Sequence, residues 1–326
     1  MEATEAHTVV VLAEPTEPQL ALLEQLPPET GIAVGDSTRA FERTAPSADV
    51  IFNWSLSGDL LHEVFGMCPR VRWVHSRAAG LDGMLFPALV ESPVPLTNGT
   101  GVFSLPLGEF ALAAILYFAK DLRRMIRNQA AGVWEPFDIT EISGQTVGIV
   151  GYGDIGRAVA SRVRAMGMEV LAVKRHGPPS DNADPLASRI FSPQDRLEMI
   201  GRCDYLVVAA PLTAETRGMI GAAEFASMKP EAVVINLGRG PVVDEAALIS
   251  ALSGSRIKGA ALDVFDAEPL PAGHPFYRLE NLLLSPHCAD HTPDWLERAM
   301  QFFIDQFERF RQGEPLLNVV DKRLGY

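Results

Sequence analysis

The sequence is poor in cysteine, in basic residues and in long apolar runs, and each shortage excludes a class of protein. Three cysteines in 326 residues, none spaced as CxxC, suit neither a disulfide framework nor a thiolate metal site, so we expect a reducing compartment and no metal. The 28 basic side chains stand against 41 acidic ones, for a net charge of -13. Nucleic acid and anionic membranes are therefore disfavoured as partners, because both need clustered lysine and arginine.

The longest apolar stretch, Phe110 to Ala119, is well short of the roughly 20 residues that span a bilayer. The acidic N-terminus lacks the apolar core of a signal peptide, so we expect a soluble, cytoplasmic protein. Hydrophobic residues make up 47% of the chain and charged ones 21%, which is ordinary globular usage. A folded chain of this length usually divides into two domains.

The first hundred residues alternate short apolar runs with helical patterns, which indicates a parallel sheet covered on both faces. Those runs are 9–12, 32–34, 50–52 and 71–74. A glycine-rich joint at 97–101 follows, and then a long apolar helix from about Leu107 to Ala130 that should be buried. It could join two domains or pack on a second subunit.

A second alternation of strand and helix patterns predicts another doubly wound sheet. Its strands are expected at 146–150, 169–173, 205–209, 232–236, 259–262 and 281–284. From Pro293 to Arg311 apolar residues recur three or four apart, which predicts an amphipathic helix returning to the first domain.

The strand at 146–150 leads directly into a GxGxxG loop and a helix pattern, as in a dinucleotide-binding βαβ unit. Gly151 permits the tight turn, Gly153 admits a pyrophosphate, and Gly156 lets the helix pack on its strand. The helix N-terminus, with Asp154 and Ile155, then faces the anion. A merely glycine-rich turn is the alternative.

The next strand, at 170–173, ends in Lys174, Arg175 and His176, without the acidic residue that usually binds both ribose hydroxyls. A cationic tip can pair with a 2′-phosphate, so the sequence predicts a preference for NADP over NAD. Solvated charges at an exposed strand end are the alternative.

Five further stretches resemble, in chain order, the D-isomer-specific 2-hydroxyacid dehydrogenases. They are AGLD at 79–82, APLTAET at 210–216, NLGRGPVVD at 236–244, LDVFDAEPL at 262–270 and LSPH at 284–287. The resemblance implies hydride transfer between a nicotinamide cofactor and a 2-keto acid. It implies that His287 is the acid/base, Glu268 its orienting partner and Arg239 the anchor of the substrate. Glu268 also speaks against a formate dehydrogenase, whose pattern carries glutamine.

That chemistry needs these residue types. A guanidinium can hold the 2-keto acid, and an imidazole changes protonation near neutral pH. Taken singly, each could instead be a solvated turn or loop residue. The resemblance also places Ala79 and Gly80 at the substrate carboxylate, so both domains would close on substrate. The remaining cofactor contacts that it implies are Ala210, Pro211, Thr216, Asp263 and Ala289. Asp263 could instead be a buried loop cap.

After His287 the sequence departs from the family's small residues, with Cys288-Ala289-Asp290-His291. Cys288 is interpreted as a packing residue. His291 is four residues from His287, but Pro293 and the missing third ligand argue against a metal pair. Arg77 and Trp54 are plausible pocket residues on position alone, and His75 is more often structural at a strand end.

The resulting expectation is a Rossmann cofactor domain at 101–287, inserted into a flavodoxin-like substrate domain formed by 1–100 and 288–326. The expected reaction is NADP-preferring reduction of a small 2-keto acid, such as glyoxylate or hydroxypyruvate, by a homodimer. A dinucleotide-sensing corepressor of the same family is the rival, and a hydrolase of the S-adenosylhomocysteine type is a weaker one.

Overall fold

The computed structural model describes residues 6–175 and 184–326. The chain forms two compact units, each built on its own sheet. Unit 1 comprises Met1–Phe103 and Thr292–Tyr326, and unit 2 comprises Ser104–His291. Within the described residues, no helix combines the length and apolarity needed to cross a membrane.

Unit 1 contains a five-stranded, entirely parallel sheet in the order β2-β1-β3-β4-β5, which is the flavodoxin-like order. The strands are β1 (Thr8–Leu12), β2 (Gly31–Gly35), β3 (Val50–Asn53), β4 (Trp73–Ser76) and β5 (Leu96–Thr97). Its helices are α1 (Gly58–Met67), α2 (Pro87–Glu91) and α9 (Trp295–Arg311). Short 3-10 turns lie at Pro18–Gln25, Thr38–Phe41 and Ala45–Ser47.

The C-terminal helix α9 packs on the unit 1 sheet with its aromatic face. The Phe303 ring stacks on Phe52 with centroids 3.9 Å apart and lies 5.4 Å from the Trp73 ring. Such pairs contribute about 0.5–1.5 kcal/mol each beyond the area they bury. Apolar side chains spaced three and four residues apart form one face of α9. The sheet covers that face, as the sequence predicts.

Unit 2 contains a seven-stranded parallel sheet in the order β12-β11-β10-β9-β6-β7-β8. The strands are β6 (Thr146–Val150), β7 (Glu169–Val173), β8 (Arg189–Phe191), β9 (Tyr205–Val208), β10 (Val233–Asn236), β11 (Gly259–Leu262) and β12 (Leu282–Leu284). The helices are α3 (Ser104–Ala119), α4 (Leu122–Ala131), α5 (Asp154–Ala165), α6 (Arg196–Ile200), α7 (Ala222–Ser227) and α8 (Glu245–Ser253). Further 3-10 turns lie at Pro193–Asp195, Gly240–Val242 and Pro275–Arg278.

The prediction of two doubly wound parallel sheets, one of Rossmann order, is confirmed. Buried β-branched and leucine side chains fill both faces of each sheet, which is why these strands are apolar throughout rather than alternating. Parallel strands put all their carboxyl ends on one edge. In unit 2 the loops after β6, β9, β10, β11 and β12 therefore share one edge.

The single helix predicted from Leu107 to Ala130 is wrong, because the chain breaks there into α3 and α4. Asp121 takes a left-handed conformation (φ 47°), and its side chain accepts a hydrogen bond from the Arg124 N–H at 3.3 Å. The side chain thus caps the second helix, and the backbone cannot continue the first. The apolar face of α3 packs within unit 2, since a Cβ on Gly108 would lie 3.0 Å from the Ala158 backbone of α5.

Strand edges also differ from the expected ones. The run predicted at 71–74 forms the strand two residues later, as Trp73–Ser76, so His75 and Ser76 are strand residues. The short strands β5 and β8 lack any apolar run long enough to signal them. Both lie at the edge of their sheets. There, pairing with one neighbouring strand fixes the extended backbone although the segment has no long apolar run.

Candidate active site

His287 lies in the loop after β12 and pairs with Glu268, which lies in the loop after the adjacent strand β11. The His287 Nδ1 atom is 2.6 Å from Glu268 Oε2, and the side chains are 44% and 35% exposed. A carboxylate acceptor at Nδ1 makes that nitrogen the one that carries hydrogen and leaves Nε2 toward solvent. This contact fixes the orientation of the imidazole ring.

The second oxygen of Glu268 is also held. Its Oε1 accepts a hydrogen bond from the Phe265 backbone N–H at 2.9 Å. Each carboxylate oxygen therefore has a fixed partner, one in the backbone and one in the imidazole. The carboxylate cannot rotate away from His287 without breaking the bond to Phe265.

The backbone of His287 takes a left-handed conformation with φ 52°. This region is sparsely populated by side chains other than glycine, asparagine and aspartate, and it persists only where surrounding contacts hold it. The loop is pinned on both sides of His287, as the contacts of Asp263 demonstrate.

Asp263 directly follows β11, is 1% exposed, and accepts hydrogen bonds from the loop that contains His287. Its Oδ1 accepts hydrogen bonds from Ser285 Oγ at 2.6 Å, the Cys288 N–H at 2.9 Å and the Ala289 N–H at 3.1 Å. These donors flank His287. The buried carboxylate therefore fixes the turn that presents the imidazole.

Asp290 is a second carboxyl group near this loop. Burial raises the pKa of Asp290, and the charge of Asp263 raises it further, whereas His291 and His287 lower it. His291 Nε2 lies 3.8 Å from Asp290 Oδ1. Within the described residues, no group of three or more histidine, cysteine or acidic side chains is arranged to hold a metal ion.

Arg239 lies in the tight turn after β10, the strand next to β11. Its Nη1 donates to the Gly238 carbonyl oxygen at 2.8 Å. Asn236, which is 1% exposed, braces the turn twice: its Nδ2 donates to the Arg239 carbonyl at 3.1 Å, and its Oδ1 accepts from the Gly238 N–H at 3.1 Å. Arg239 thus lies in a turn that the buried side-chain amide of Asn236 stabilises.

The two glycines beside Arg239 let this turn press against the loops on either side. A Cβ on Gly238 would lie 2.6 Å from the Ala210 carbonyl oxygen, in the loop after β9. A Cβ on Gly240 would collide with the backbone of Phe265 and Asp266 in the loop that leads to Glu268. Only glycine allows these contacts, so the β9, β10 and β11 loops meet around Arg239.

The glycine loop after β6 combines close backbone contacts at Gly151 and Gly156 with open space at Gly153. Gly151 has φ 93°, and a Cβ there would lie 2.5 Å from the Ala210 N atom. At Gly156 a Cβ would collide with the Gly151 carbonyl oxygen, so α5 packs tightly on its own loop. At Gly153, by contrast, no described atom lies within 4 Å of the position that a Cβ would take.

Gly153 is also the N-cap of α5, and among the described residues no side chain caps that helix. Its first N–H groups therefore face open space, where an anion is stabilised by the amides and the helix dipole. Asp154 is turned aside by a short hydrogen bond from Ser104 Oγ. Ile155 follows in the first turn, which completes the predicted loop.

Lys174 and Arg175 lie exposed at the tip of β7, as expected, while His176 lies outside the described residues. Arg175 Nη2 donates to Glu215 Oε1 at 2.6 Å. Glu215 belongs to the loop after β9, where Thr216 Oγ1 donates to the Pro211 carbonyl at 2.6 Å and accepts from the Thr213 N–H at 2.8 Å. This loop is a compact turn beside the glycine loop, next to Ala210.

In unit 1, Ala79 and Gly80 lie in the loop after β4. Asn98 Nδ2 donates to the Ala79 carbonyl at 2.6 Å. Within the described residues, no acceptor is bonded to the N–H of Ala79 or Gly80. His75 is fully buried, with Nδ1 2.7 Å from Thr97 Oγ1, and is a core residue.

Sequence reasoning missed the residues that hold the site. An asparagine at the end of a strand often accepts a hydrogen bond from the backbone N–H two residues later. This pattern could have identified Asn236, which stands two residues before Gly238. Ser285 carries no such signal, and the loop-fixing contacts of Asp263 depend on the chain returning after β12. Cys288 was interpreted as a packing residue but is exposed, with its Sγ atom 3.5 Å from Ser285 Oγ.

The family model described as the D-isomer specific 2-hydroxyacid dehydrogenase, NAD binding domain, matches residues 112–289. A glyoxylate reductase of Thermococcus gammatolerans is 33% identical over 271 residues, covering 80% of each chain. A hydroxypyruvate reductase of Blautia hydrogenotrophica is 28% identical over 268 residues, covering 80% of this chain and 81% of that one.

Solved structures resemble the whole chain. One is an NADPH-dependent glyoxylate/hydroxypyruvate reductase of Sinorhizobium meliloti in complex with NADP and sulfate, with TM-score 0.86 and 28% identity over 99% of this chain and 100% of that one. Another is a D-isomer specific 2-hydroxyacid dehydrogenase of Xanthobacter autotrophicus in complex with NADPH and MES, with TM-score 0.85 and 29% identity over 99% and 100%.

Proposed function

The chain belongs to the D-isomer-specific 2-hydroxyacid dehydrogenase family, and on that premise we propose that it reduces a small 2-keto acid to a D-2-hydroxy acid with NADP(H) as the preferred cofactor. The observation that carries the proposal is the hydrogen bond of 2.6 Å between His287 Nδ1 and Glu268 Oε2. It lies on the same sheet edge as the Arg239 turn and the glycine loop.

In this proposal His287 is the acid. With Nδ1–H held by Glu268, its Nε2–H donates a proton to the carbonyl oxygen during reduction, and the neutral ring takes a proton from the hydroxyl during oxidation. Glu268 is a positioning residue that fixes the ring and stabilises its protonated form. Placing the proton donor in advance lowers the reorganisation that proton transfer would otherwise require.

Arg239 is the proposed anchor of the substrate. A guanidinium offers a planar fork of donors that matches a carboxylate or a 2-keto acid. The turn closed by Asn236 sets its backbone, so the fork starts from a fixed base. Ala79 and Gly80 are proposed to receive the substrate carboxylate with their N–H groups, which no described acceptor occupies.

The glycine loop fits a dinucleotide, since Gly153 leaves the N-terminus of α5 open. The bound cofactor supplies a hydride to the carbonyl carbon of the substrate. Gly151, Gly153, Asp154, Ile155 and Gly156 would hold its diphosphate. The other proposed contacts are Ala210, Pro211, Thr216, Asp263 and Ala289.

The preference for NADP is supported by Lys174 and Arg175 at the tip of β7, where a 2′-phosphate would find two cations. Arg175 is already paired with Glu215, and that pair would have to open or share the arginine. Comparing kcat/KM for NADPH and NADH with one keto acid tests this. A higher value with NADH would overturn the preference.

Glyoxylate and hydroxypyruvate are the proposed substrates, and the similar reductases act on acids of that size according to their names. The test is a screen of 2-keto acids with NADPH and NADH, following absorbance of the reduced cofactor. Turnover of a 2-keto acid supports the proposal. A pure sample that binds NADPH and turns over no 2-keto acid would favour a dinucleotide-sensing protein.

We further propose a homodimer, in the cytoplasm as the three free thiols suggest. Apolar side chains are exposed along α4 and the segment after it, including Ile126 (64%), Val133 (49%), Trp134 (97%) and Ile139 (54%). Exposed apolar clusters of this kind mark association surfaces. Gel filtration should give twice the 35.4 kDa of the chain, and Trp134→Glu should shift it toward the monomer. A wild-type monomer would contradict the dimer.

A further inference from the structure

Arg77 directly follows β4 and lies over the rings of two tryptophans in unit 1. Its Cζ atom is 4.7 Å from the centroid of Trp54, which directly follows β3, and 5.5 Å from that of Trp295, the first residue of α9. Guanidinium groups are held in this way by the electron-rich faces of indole rings. The residue after β3 and the first residue of α9 thus both contact the Arg77 side chain, which itself follows β4.

The guanidinium is half-buried, and within the described residues no hydrogen bond or ion pair uses its donors. Most other half-buried arginines differ: Arg196, for example, pairs with Glu224 at 2.9 Å. Burial lowers the pKa of Arg77, and the more distant charge of Glu17 raises it. The Trp54 Nε1–H is also buried, on a residue that is 1% exposed, and no acceptor in residues 6–175 or 184–326 is bonded to it.

Buried donors without acceptors are costly, and native proteins rarely leave them so. Here a buried indole N–H in that condition lies next to a half-buried guanidinium to which no described acceptor is bonded. The indole rings cover the faces of the guanidinium but cannot use its in-plane N–H groups. Those groups form a planar fork that matches an anion with two oxygens, such as a carboxylate or a phosphate.

The backbone of this loop is fixed. The Arg77 N–H donates to the Asn53 carbonyl at 3.2 Å, and Gly99 approaches the Arg77 carbonyl so closely that no Cβ would fit. Two residues later, Asn98 holds the Ala79 carbonyl. Arg77 therefore belongs to the same braced loop as the Ala79 and Gly80 amides to which the proposed function assigns the substrate carboxylate.

We propose that Arg77 binds a second anionic group at the far end of longer substrates, so that the enzyme's range extends from glyoxylate and hydroxypyruvate to 2-keto acids carrying a further carboxylate or phosphate. The inference rests on the proposed function for the reaction itself. Trp54 and Trp295 hold the guanidinium in place, so they are positioning residues. Glyoxylate and hydroxypyruvate, which have no second anionic group, would be reduced without a contact to Arg77, whereas a longer dianionic acid would gain that contact.

The test uses Arg77→Met, which keeps a long apolar side chain between the indoles and removes the fork. The substrates are 2-ketoglutarate and phosphohydroxypyruvate, compared with the monoanionic 2-ketobutyrate, all with NADPH. In the wild type the ratio of kcat/KM for the dianionic over the monoanionic acid should be high. In Arg77→Met it should fall at least about tenfold, mainly through KM. The dianionic acid whose kcat/KM falls more in Arg77→Met shows whether Arg77 binds a carboxylate or a phosphate.

Arg72→Met is the matched control. Arg72 lies at the opposite end of β4, 5.1 Å from the Phe310 ring, so it also stacks a guanidinium on an aromatic ring of unit 1. Its substitution changes net charge equally and should leave the ratio within about twofold. A ratio that Arg77→Met leaves unchanged, or that Arg72→Met lowers as much, would overturn the proposal.

A binding measurement separates this inference from the reaction. Malonate and acetate are titrated into the protein while the intrinsic fluorescence of its four tryptophans, which include Trp54 and Trp295, is followed. Wild type should bind malonate at least about tenfold more tightly than acetate, and Arg77→Met should lose that difference. If no 2-keto acid is reduced, the proposed function fails while this titration still decides the anion site. If Arg77→Met does not fold, Arg77→Lys replaces it, with an intermediate loss expected and an unchanged difference contradicting the proposal.

Discussion

His75 and His287 each lie at the carboxyl edge of a parallel sheet, one in each compact unit, and their surroundings differ completely. His75 is 0% exposed, and burial lowers its pKa to about 3. Its Nδ1 is 2.7 Å from the neutral hydroxyl of Thr97. The His287 side chain is 44% exposed, and its Nδ1 is 2.6 Å from the Glu268 carboxylate.

The contrast teaches that position at a strand end does not make a histidine an acid. His75 is enclosed by aromatic rings, with Phe52, Trp73, Phe302 and Phe303 centroids 5.4–5.8 Å away. Such surroundings penalise the charged ring. His287 has a carboxylate on one ring nitrogen, and its side chain is 44% exposed to solvent.

The largest expected effect is the loss of the His287 imidazole. His287→Ala should lower kcat for 2-keto acid reduction by at least about 100-fold, because general acid catalysis is removed. His287→Asn is the matched variant, since asparagine tolerates the left-handed backbone and can still bond Glu268. Both should lose activity while the thermal midpoint stays within a few degrees. Retention of activity in either variant would remove His287 from the mechanism.

Glu268→Gln gives His287 a neutral hydrogen-bond partner, as His75 has. The amide keeps nearly the same shape but no longer stabilises the protonated ring, so reduction should slow by about 10- to 100-fold. The pH profile of kcat/KM for reduction should also move to lower pH. An unchanged profile with normal rates would mean that the carboxylate charge has no role.

Asp263→Ala removes the acceptor that pins the loop on both sides of His287. Ser285 Oγ and the N–H groups of Cys288 and Ala289 would lose their partner, which should cost about 1–3 kcal/mol of unfolding free energy. Activity should fall about tenfold, because a misplaced acid donates its proton less often. Asp263→Asn keeps an acceptor oxygen and should retain more stability in urea denaturation. Equal stability of the two variants would argue against a role for these hydrogen bonds.

The smallest expected effect is on the other histidine and appears only in acid. The unfolded chain protonates His75 near pH 6.5, whereas the folded chain does so near pH 3. The unfolded state therefore binds more protons between these values, so stability is full above about pH 6.5 and falls as pH falls. The stability of His75→Gln should lack this dependence on pH. The difference between the urea midpoints of the wild type and His75→Gln should therefore shrink as the pH is lowered from 7.5 to 4.5. Parallel curves would mean that His75 does not titrate this way.

Much of the fold could be predicted because both units rely on local patterns. Continuous β-branched runs marked most strands, and the spacing of Phe303 and Phe307 marked the face of α9. The break at Asp121 was missed because aspartate is unremarkable in a helical pattern until its side chain caps the next helix. Strand β8 was missed because its three residues pair with β7 without a local apolar signal.

For the site, the resemblance of five stretches to the D-isomer-specific 2-hydroxyacid dehydrogenases nominated Arg239, Glu268 and His287, and these residue types suit hydride chemistry on a 2-keto acid. Of the residues that hold them, Asn236 and Ser285 were not identified, whereas Asp263 was considered as a buried loop cap, the role that its contacts show. Asn236 and Asp263 act on backbone groups two to 26 residues away along the chain, and such contacts exist only after the strands have paired.

The amino-acid sequence alone determined the alternation of strand and helix, the glycine turn and the types of side chain placed after each strand, because these follow from local sterics and apolar periodicity. Tertiary structure alone decided which histidine meets a carboxylate and which is enclosed by rings. The surroundings of an imidazole depend on groups brought near it through space: parallel pairing of β11 and β12 brings a carboxylate to His287, whereas aromatic rings of unit 1 enclose His75.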